Sequence, residues 1–288
     1  MSKQNTVIDA FRLLERFAPP AAAEAAYALW LSTGKRKRVH PREQAVIDQA
    51  TVSSIRVNGT RIAVYTWGNG AKPVLLVHGW QGRAAEFAEV VREVRATDRT
   101  VIAFDAPGHG ASGGRRPDIR DFAEVIGALG RKHGTFEAII AHSFGTPAAA
   151  LAIRGGTRTR RLVSIGGVAE MAYLLDSFSQ MLNLSPRTSD SLKRKIQQRR
   201  FRAVPDVWAT LSATTTPLAA EVPMLVIHDH DDLVVQVGQA EALADAHLLS
   251  ATTMFTSGLG HHRILRDDAV LDAIGEFVGS PLPVTVAR

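Results

Sequence analysis

Apolar positions along the chain change their period several times, and each change marks a new kind of element. Val7, Ile8, Phe11, Leu14 and Phe17 recur at helical spacing, Pro19-Pro20 ends that run, and 21–31 reads as a second, Ala-rich helix. From residue 51 the pattern becomes strand-like: 52–57 and 61–66 flank Asn58-Gly59. That dipeptide suits the positive φ angles of a two-residue hairpin loop, so the two runs form an antiparallel pair. Residues 73–78 are continuously apolar, as a strand buried on both faces requires. Helix and strand then alternate: helix 83–96, strand 100–104, helix 118–132, strand 136–141, helix 144–153, strand 161–165. The alternation stops at Gly166-Gly167 and resumes with strand 223–228, helix 237–246, strand 252–256 and helix 264–278. Between them lie only helical stretches, 171–184 and 191–202, punctuated by Pro186 and Pro205.

This order predicts an α/β fold: a mainly parallel eight-stranded sheet with an antiparallel hairpin at its start, helices on both faces and right-handed crossovers. Residues 1–50 read as an N-terminal helical extension, 51–288 as the α/β domain, and 168–220 as a helical lid inserted above the strand ends. A ligand site is expected outside the carboxyl ends of the strands.

Composition narrows the chemistry. The chain has 288 residues, 45% hydrophobic and 22% charged, enough to bury a full core without metals or disulfides. It has no Cys, which removes thiolate nucleophiles and Cys-based zinc sites. The net charge of +6 is concentrated in 35–38 and 193–202. No aromatic-plus-basic module accompanies these runs, so they read as solvated helix faces and nucleic acid is not an expected partner. Amphipathic N-terminal helices followed by a basic run allow weak contact with a membrane surface. The apolar stretch 21–31 is about half of what a span needs, and no secretory signature precedes it, so a cytoplasmic location is expected.

The candidate chemistry centres on 138–145, AIIAHSFG. An apolar run enters His142-Ser143-Phe144-Gly145 and a helix-compatible segment follows, which presents Ser143 on a sharp strand-to-helix turn between small residues Ala141 and Gly145. A serine hydroxyl needs a base, and the base needs a carboxylate to orient it. Two later strand ends carry them: 228–235, HDHDDLVV, with Asp231 and Asp232, and 257–262, SGLGHH, with His261 and His262. Phe144, directly after the serine at a helix start, offers a backbone N–H to a developing oxyanion.

With HGWQG at 78–82 and DAPGHGAS at 105–112, these segments make the chain resemble the α/β-hydrolase fold family over roughly residues 52–279. The resemblance implies a catalytic triad of Ser143, His261 and Asp232, with Asp229 standing where the family has a strand-ending Gly. It implies a second oxyanion donor at the Trp80 N–H and a loop-shaping role for His78, His109 and Asp105; His142 is expected to point away from the pocket. Consecutive residues in 228–231 project to alternating sides, so no metal is expected, and no cofactor.

The expected activity is that of a serine hydrolase acting on a small-molecule ester, thioester or amide, with carboxylic ester hydrolysis the default. A non-hydrolytic binding protein on the same fold, and lyase or perhydrolase chemistry with the same triad, are the alternatives. Met171, Tyr173, Leu174, Phe178, Met181 and Trp208 of the insertion are candidate pocket walls, and the cations of 193–202 are candidates to admit an anion.

Overall fold

A computed structural model describes residues 3–96, 98–216, 218–219 and 221–281. The ends of the expected domains, 1–2 and 282–288, and residues 217 and 220 of the expected insertion lie outside the described residues.

The chain opens with helices α1 (Lys3–Phe17), α2 (Pro19–Trp30) and α3 (Pro41–Ile47). Strands β1 (Thr51–Val57) and β2 (Thr60–Trp67) follow, with β3 (Lys72–Val77), α4 (Ala88–Val94), β4 (Arg99–Phe104), α5 (Ile119–His133), β5 (Ala138–His142), α6 (Gly145–Arg154) and β6 (Leu162–Ile165) after them. Next come α7 (Met171–Met181), α8 (Pro186–Arg200) and α9 (Val207–Thr210), then β7 (Met224–Asp229), α10 (Gly238–Ala246), β8 (Ala251–Thr256), α11 (Gly260–Arg263) and α12 (Asp268–Gly279).

The eight strands form one sheet in the order β1-β2-β4-β3-β5-β6-β7-β8. β1 pairs antiparallel with β2 across a turn in which Asn58 (φ +47°) and Gly59 (φ +74°) are both left-handed. β2 is also antiparallel to β4, and every pair from β4 through β8 is parallel. The expected mixed sheet is therefore present, with the hairpin at one edge.

Side chains alternate across the sheet, which explains the unbroken apolar runs. Leu75 and Val77 of β3 face Phe122, Ile126 and Leu129 of α5, while Val74 and Leu76 face Val90 and Val91 of α4 and Ile274 of α12. All are fully or almost fully buried. Each such side chain contributes about 2 kcal/mol by leaving water.

Several local details differ from the sequence reading. α8 starts at Pro186, five residues before the expected 191, because Ser185 caps it by accepting the Thr188 N–H. The last expected helix is split: a 3₁₀ turn at Ile264–Arg266 precedes α12, which Asp267 caps through the Val270 N–H. The short α3 escaped the pattern; its cap is a reciprocal pair in which His40 Nδ1 accepts the Arg42 N–H and Glu43 accepts the His40 N–H.

The two basic runs are tied into the fold. Lys195 and Arg199 of α8 pair with Glu24 of α2 at 2.6 and 2.7 Å, and Arg200 pairs with Asp118 at 2.9 Å. Arg36 donates to the carbonyls of Gly110, Ser112 and Gly114. Thus Lys195, Arg199 and Arg200 of the 193–202 run are engaged with carboxylates. Among the described residues no helix is long and apolar enough to cross a membrane.

Candidate active site

Ser143 follows β5 directly and has φ +55°, a left-handed conformation that an L side chain adopts at a cost of about 1–3 kcal/mol. The backbone around it is locked: its N–H donates to Ile165 O at 3.0 Å, and its carbonyl accepts the N–H groups of Thr146 and Val168 at 3.0 and 3.3 Å. The turn needs small neighbours. A Cβ on Gly145 would sit 2.3 Å from Val77 O, and one on Gly79 would sit 2.8 Å from the Ser143 Cβ. Ala141, where the family motif has Gly, is fully buried with its methyl accommodated. Ser143 itself is only partly buried, and among the described residues its hydroxyl has no hydrogen-bond partner.

The base and acid meet across β7 and β8. His261, at the start of α11, donates Nδ1–H to Asp232 Oδ2 at 2.6 Å, which leaves Nε2 with its lone pair. Asp232 Oδ1 accepts the Val234 and Val235 N–H groups at 2.8 and 2.9 Å. Burial opposes ionisation of Asp232, but the bond from His261 and those two N–H groups overcome it and hold its carboxyl below the usual carboxylate range. Asp231, the alternative acid, instead accepts the Gly258 N–H at 2.7 Å. His262, the alternative base, is not bonded to either carboxylate. Gly166 (φ +53°) lies against the pair: a Cβ there would approach His261 Nδ1 to 3.3 Å and Asp232 Oδ2 to 3.4 Å.

Two supports of His261 were not legible in the sequence. Asp229, fully buried at the end of β7, accepts four hydrogen bonds: from the N–H groups of Asp231 (2.9 Å), Gly260 (3.0 Å) and Leu259 (3.0 Å), and from the Thr256 hydroxyl (2.7 Å). Burial raises its pKa, yet these donors outweigh that and keep it below the ordinary value. A carboxylate in place of the family's glycine thus laces the acid-bearing loop to the base-bearing loop. His142 does not turn away, contrary to expectation. It lines the cavity, donates Nε2–H to the His261 carbonyl at 2.9 Å and packs its ring, tilted by 41°, against the His261 ring at 4.6 Å between centroids. Burial, with His261 beside it, drives its pKa well below the usual histidine value, so it is a neutral support.

The loop after β3 is held by the residues expected to shape it. His78 donates Nδ1–H to Gly79 O at 2.7 Å and accepts the Ala106 N–H at 2.9 Å. His109 Nε2 accepts the N–H of Gln81, itself left-handed at φ +58°, at 3.0 Å. Asp105 accepts the N–H groups of Ala84 and Ala111 and the Tyr65 hydroxyl. Trp80 is clamped between Phe122, Phe144 and His109, and its indole N–H donates to Ser32 O at 3.3 Å. Among the described residues the backbone N–H groups of Trp80 and Phe144 carry no hydrogen bond, which leaves both available to an oxygen placed at Ser143.

These groups open on one cavity of about 960 Å³ lined by Ser143, His261, His262, Trp80 and Phe144. All six expected wall residues, Met171, Tyr173, Leu174, Phe178, Met181 and Trp208, line it. So do Leu29, Trp30 and Leu31 from the N-terminal extension, which the sequence pattern did not mark as wall residues. Trp30 meets Phe178 edge to face at 5.2 Å between ring centroids.

Residues 74–273 match the Alpha/beta hydrolase family, and the chain belongs to that family. Over 100 residues it is 33% identical to a monoacylglycerol lipase of Mycolicibacterium smegmatis, a match spanning 31% of this chain and 36% of that protein's length. Among solved structures, the esterase from Rhodococcus sp. superposes with a TM-score of 0.57 at 18% identity, covering 82% of this chain and all of the other. The mouse alpha/beta hydrolase domain-containing protein 10 superposes with a TM-score of 0.60 at 15% identity, covering 80% of this chain and 97% of that one. At these identities the superpositions establish the fold.

Proposed function

We propose that the protein is a serine hydrolase that cleaves carboxylic esters of small molecules, with Ser143, His261 and Asp232 as its catalytic triad. The observation that carries this reading is the 2.6 Å bond from His261 Nδ1 to Asp232 Oδ2, in a cavity shared with a left-handed Ser143. His261 Nε2 takes the Ser143 proton as Oγ attacks the ester carbonyl. Asp232, held ionised, stabilises the resulting imidazolium. The N–H groups of Trp80 and Phe144 receive the oxyanion, the latter at the amino end of α6, where the helix dipole adds to the attraction. His261 then protonates the departing alcohol and activates a water that releases the acyl group.

The lipase relative and the esterase-like fold support ester chemistry. The apolar lining supports an apolar acyl group, and α7–α9, standing between β6 and β7, form the lid over it. Turnover of nitrophenyl esters of graded chain length by the wild-type protein, lost in Ser143→Ala, is the expected result. Wild-type protein that leaves the whole series intact would contradict the proposal.

A further inference from the structure

Beside the main cavity lies a second, open pocket of about 340 Å³, and the two share Lys37, Glu86 and His262 along their border. Its walls are dominated by cations: Arg38 and Arg42 from the N-terminal extension, Arg83 from the loop after β3, and Arg266 from the turn before α12. The nearby acids are already engaged. Glu86 pairs with Lys37 at 2.7 Å and also accepts the Arg83 N–H, while Glu43 is occupied by the His40 N–H in the cap of α3. Among the described residues Arg38, Arg42 and Arg266 form no ion pair. Arg83 is nine-tenths buried, pairs through Nη2 with Asp105 at 3.6 Å, donates Nη1–H to Lys37 O at 2.9 Å, and leaves its Nε without a partner. Burial, with Arg42 and Arg263 close by, lowers the pKa of Arg266 against the opposing pull of Glu43 and Glu89.

We propose that this basic pocket is a phosphate subsite of the main cavity, so that the substrate is a fatty acyl ester of a phosphate-bearing alcohol. Guanidinium forks bind phosphate oxygens in pairs, and a concave site lined by one sign of charge concentrates its field on the anion. The apolar walls of the large cavity receive the acyl chain, and the shared border lets one molecule reach both lobes. This assignment rests on the proposed hydrolase reading for the ester bond alone; the anion site stands on its own geometry.

Calorimetry on Ser143→Ala protein separates the two, because it needs no turnover. At constant ionic strength, an acylglycerol phosphate is expected to bind at least about tenfold more tightly than the matching neutral acylglycerol, and R42Q/R266Q is expected to remove that preference. Inorganic phosphate is expected to bind to the same pocket and to compete with the phosphorylated ester only. Equal affinity for the two esters, or a preference that survives the double substitution, overturns the proposal. Binding of inorganic phosphate without preference between the esters also overturns it, as the pocket then holds free phosphate only. Melting temperature checks the fold of R42Q/R266Q, with R42Q and R266Q singly as replacements if it fails. Phosphate-dependent binding with no turnover by the wild-type protein would contradict the hydrolase reading and leave the subsite intact.

Discussion

Asp229 Oδ1 accepts the Gly260 N–H at 3.0 Å, so a carboxylate at the end of one strand fixes the residue immediately before His261. The same side chain holds Asp231 and Leu259, and through them the loops that carry the acid and the base. In Asp229→Asn the charge is lost and an amide N–H₂ faces a backbone donor. Charge-assisted bonds of this kind contribute about 1.5–3 kcal/mol, and the variant should be destabilised by that order in denaturant unfolding. Because Asp229 acts through His261 rather than on substrate, kcat is expected to fall about ten- to a hundredfold with KM little changed. A KM effect without a kcat effect would contradict this positioning role.

Trp30 and Phe178 meet edge to face across the cavity, one from the N-terminal extension and one from α7. Replacing the indole with a methyl group opens that wall. Trp30→Ala is expected to shift the kcat/KM optimum of an acyl chain-length series toward longer or bulkier acyl groups. An unchanged optimum would mean that the extension takes no part in substrate selection.

Acid should weaken the fold before its carboxylates titrate. Burial, the largest influence on each, lowers the pKa of His78, His109 and His142, that of His109 to about 3 with His78 beside it. In the unfolded chain each takes up a proton near about 6.5, so the unfolded state binds more protons below that pH. Their contribution is complete above about pH 6.5 and is lost as pH falls toward the folded-state values, by up to about 1.4 kcal/mol per unit for each group. Denaturant midpoints measured from pH 7.5 to 5 should hold level to about pH 6.5 and fall below it; a profile flat to pH 5 would show that these histidines are not held neutral.

Much of this was legible because local chemistry and long-range placement agree. The continuous apolar run of β3 and the Asn58-Gly59 turn encode the sheet's centre and edge, and small residues around Ser143 encode the turn. The helical pattern of 171–184 marked wall residues that do line the cavity. What escaped depends on distance in space. Nothing near Asp229 in sequence announces that Gly260 and Leu259 converge on it, and nothing near His142 announces its partner at the His261 carbonyl. The basic runs were read as solvated faces, yet Lys195 and Arg199 find Glu24 on α2, while Arg38 and Arg42 meet Arg83 and Arg266 around a second pocket. Periodicity assigns a residue to a face, but only the packed chain says which charges share it.

The central claim is that Ser143 is a nucleophile activated by His261. Treating the folded protein with a fluorophosphonate probe and mapping the adduct by peptide mass spectrometry tests it most directly. The expected result is a single phosphonylated peptide carrying the modification on Ser143, absent in Ser143→Ala and formed at least about a hundredfold more slowly in His261→Ala. An unlabelled wild-type protein, or an adduct on Ser143 whose rate ignores His261, would contradict it.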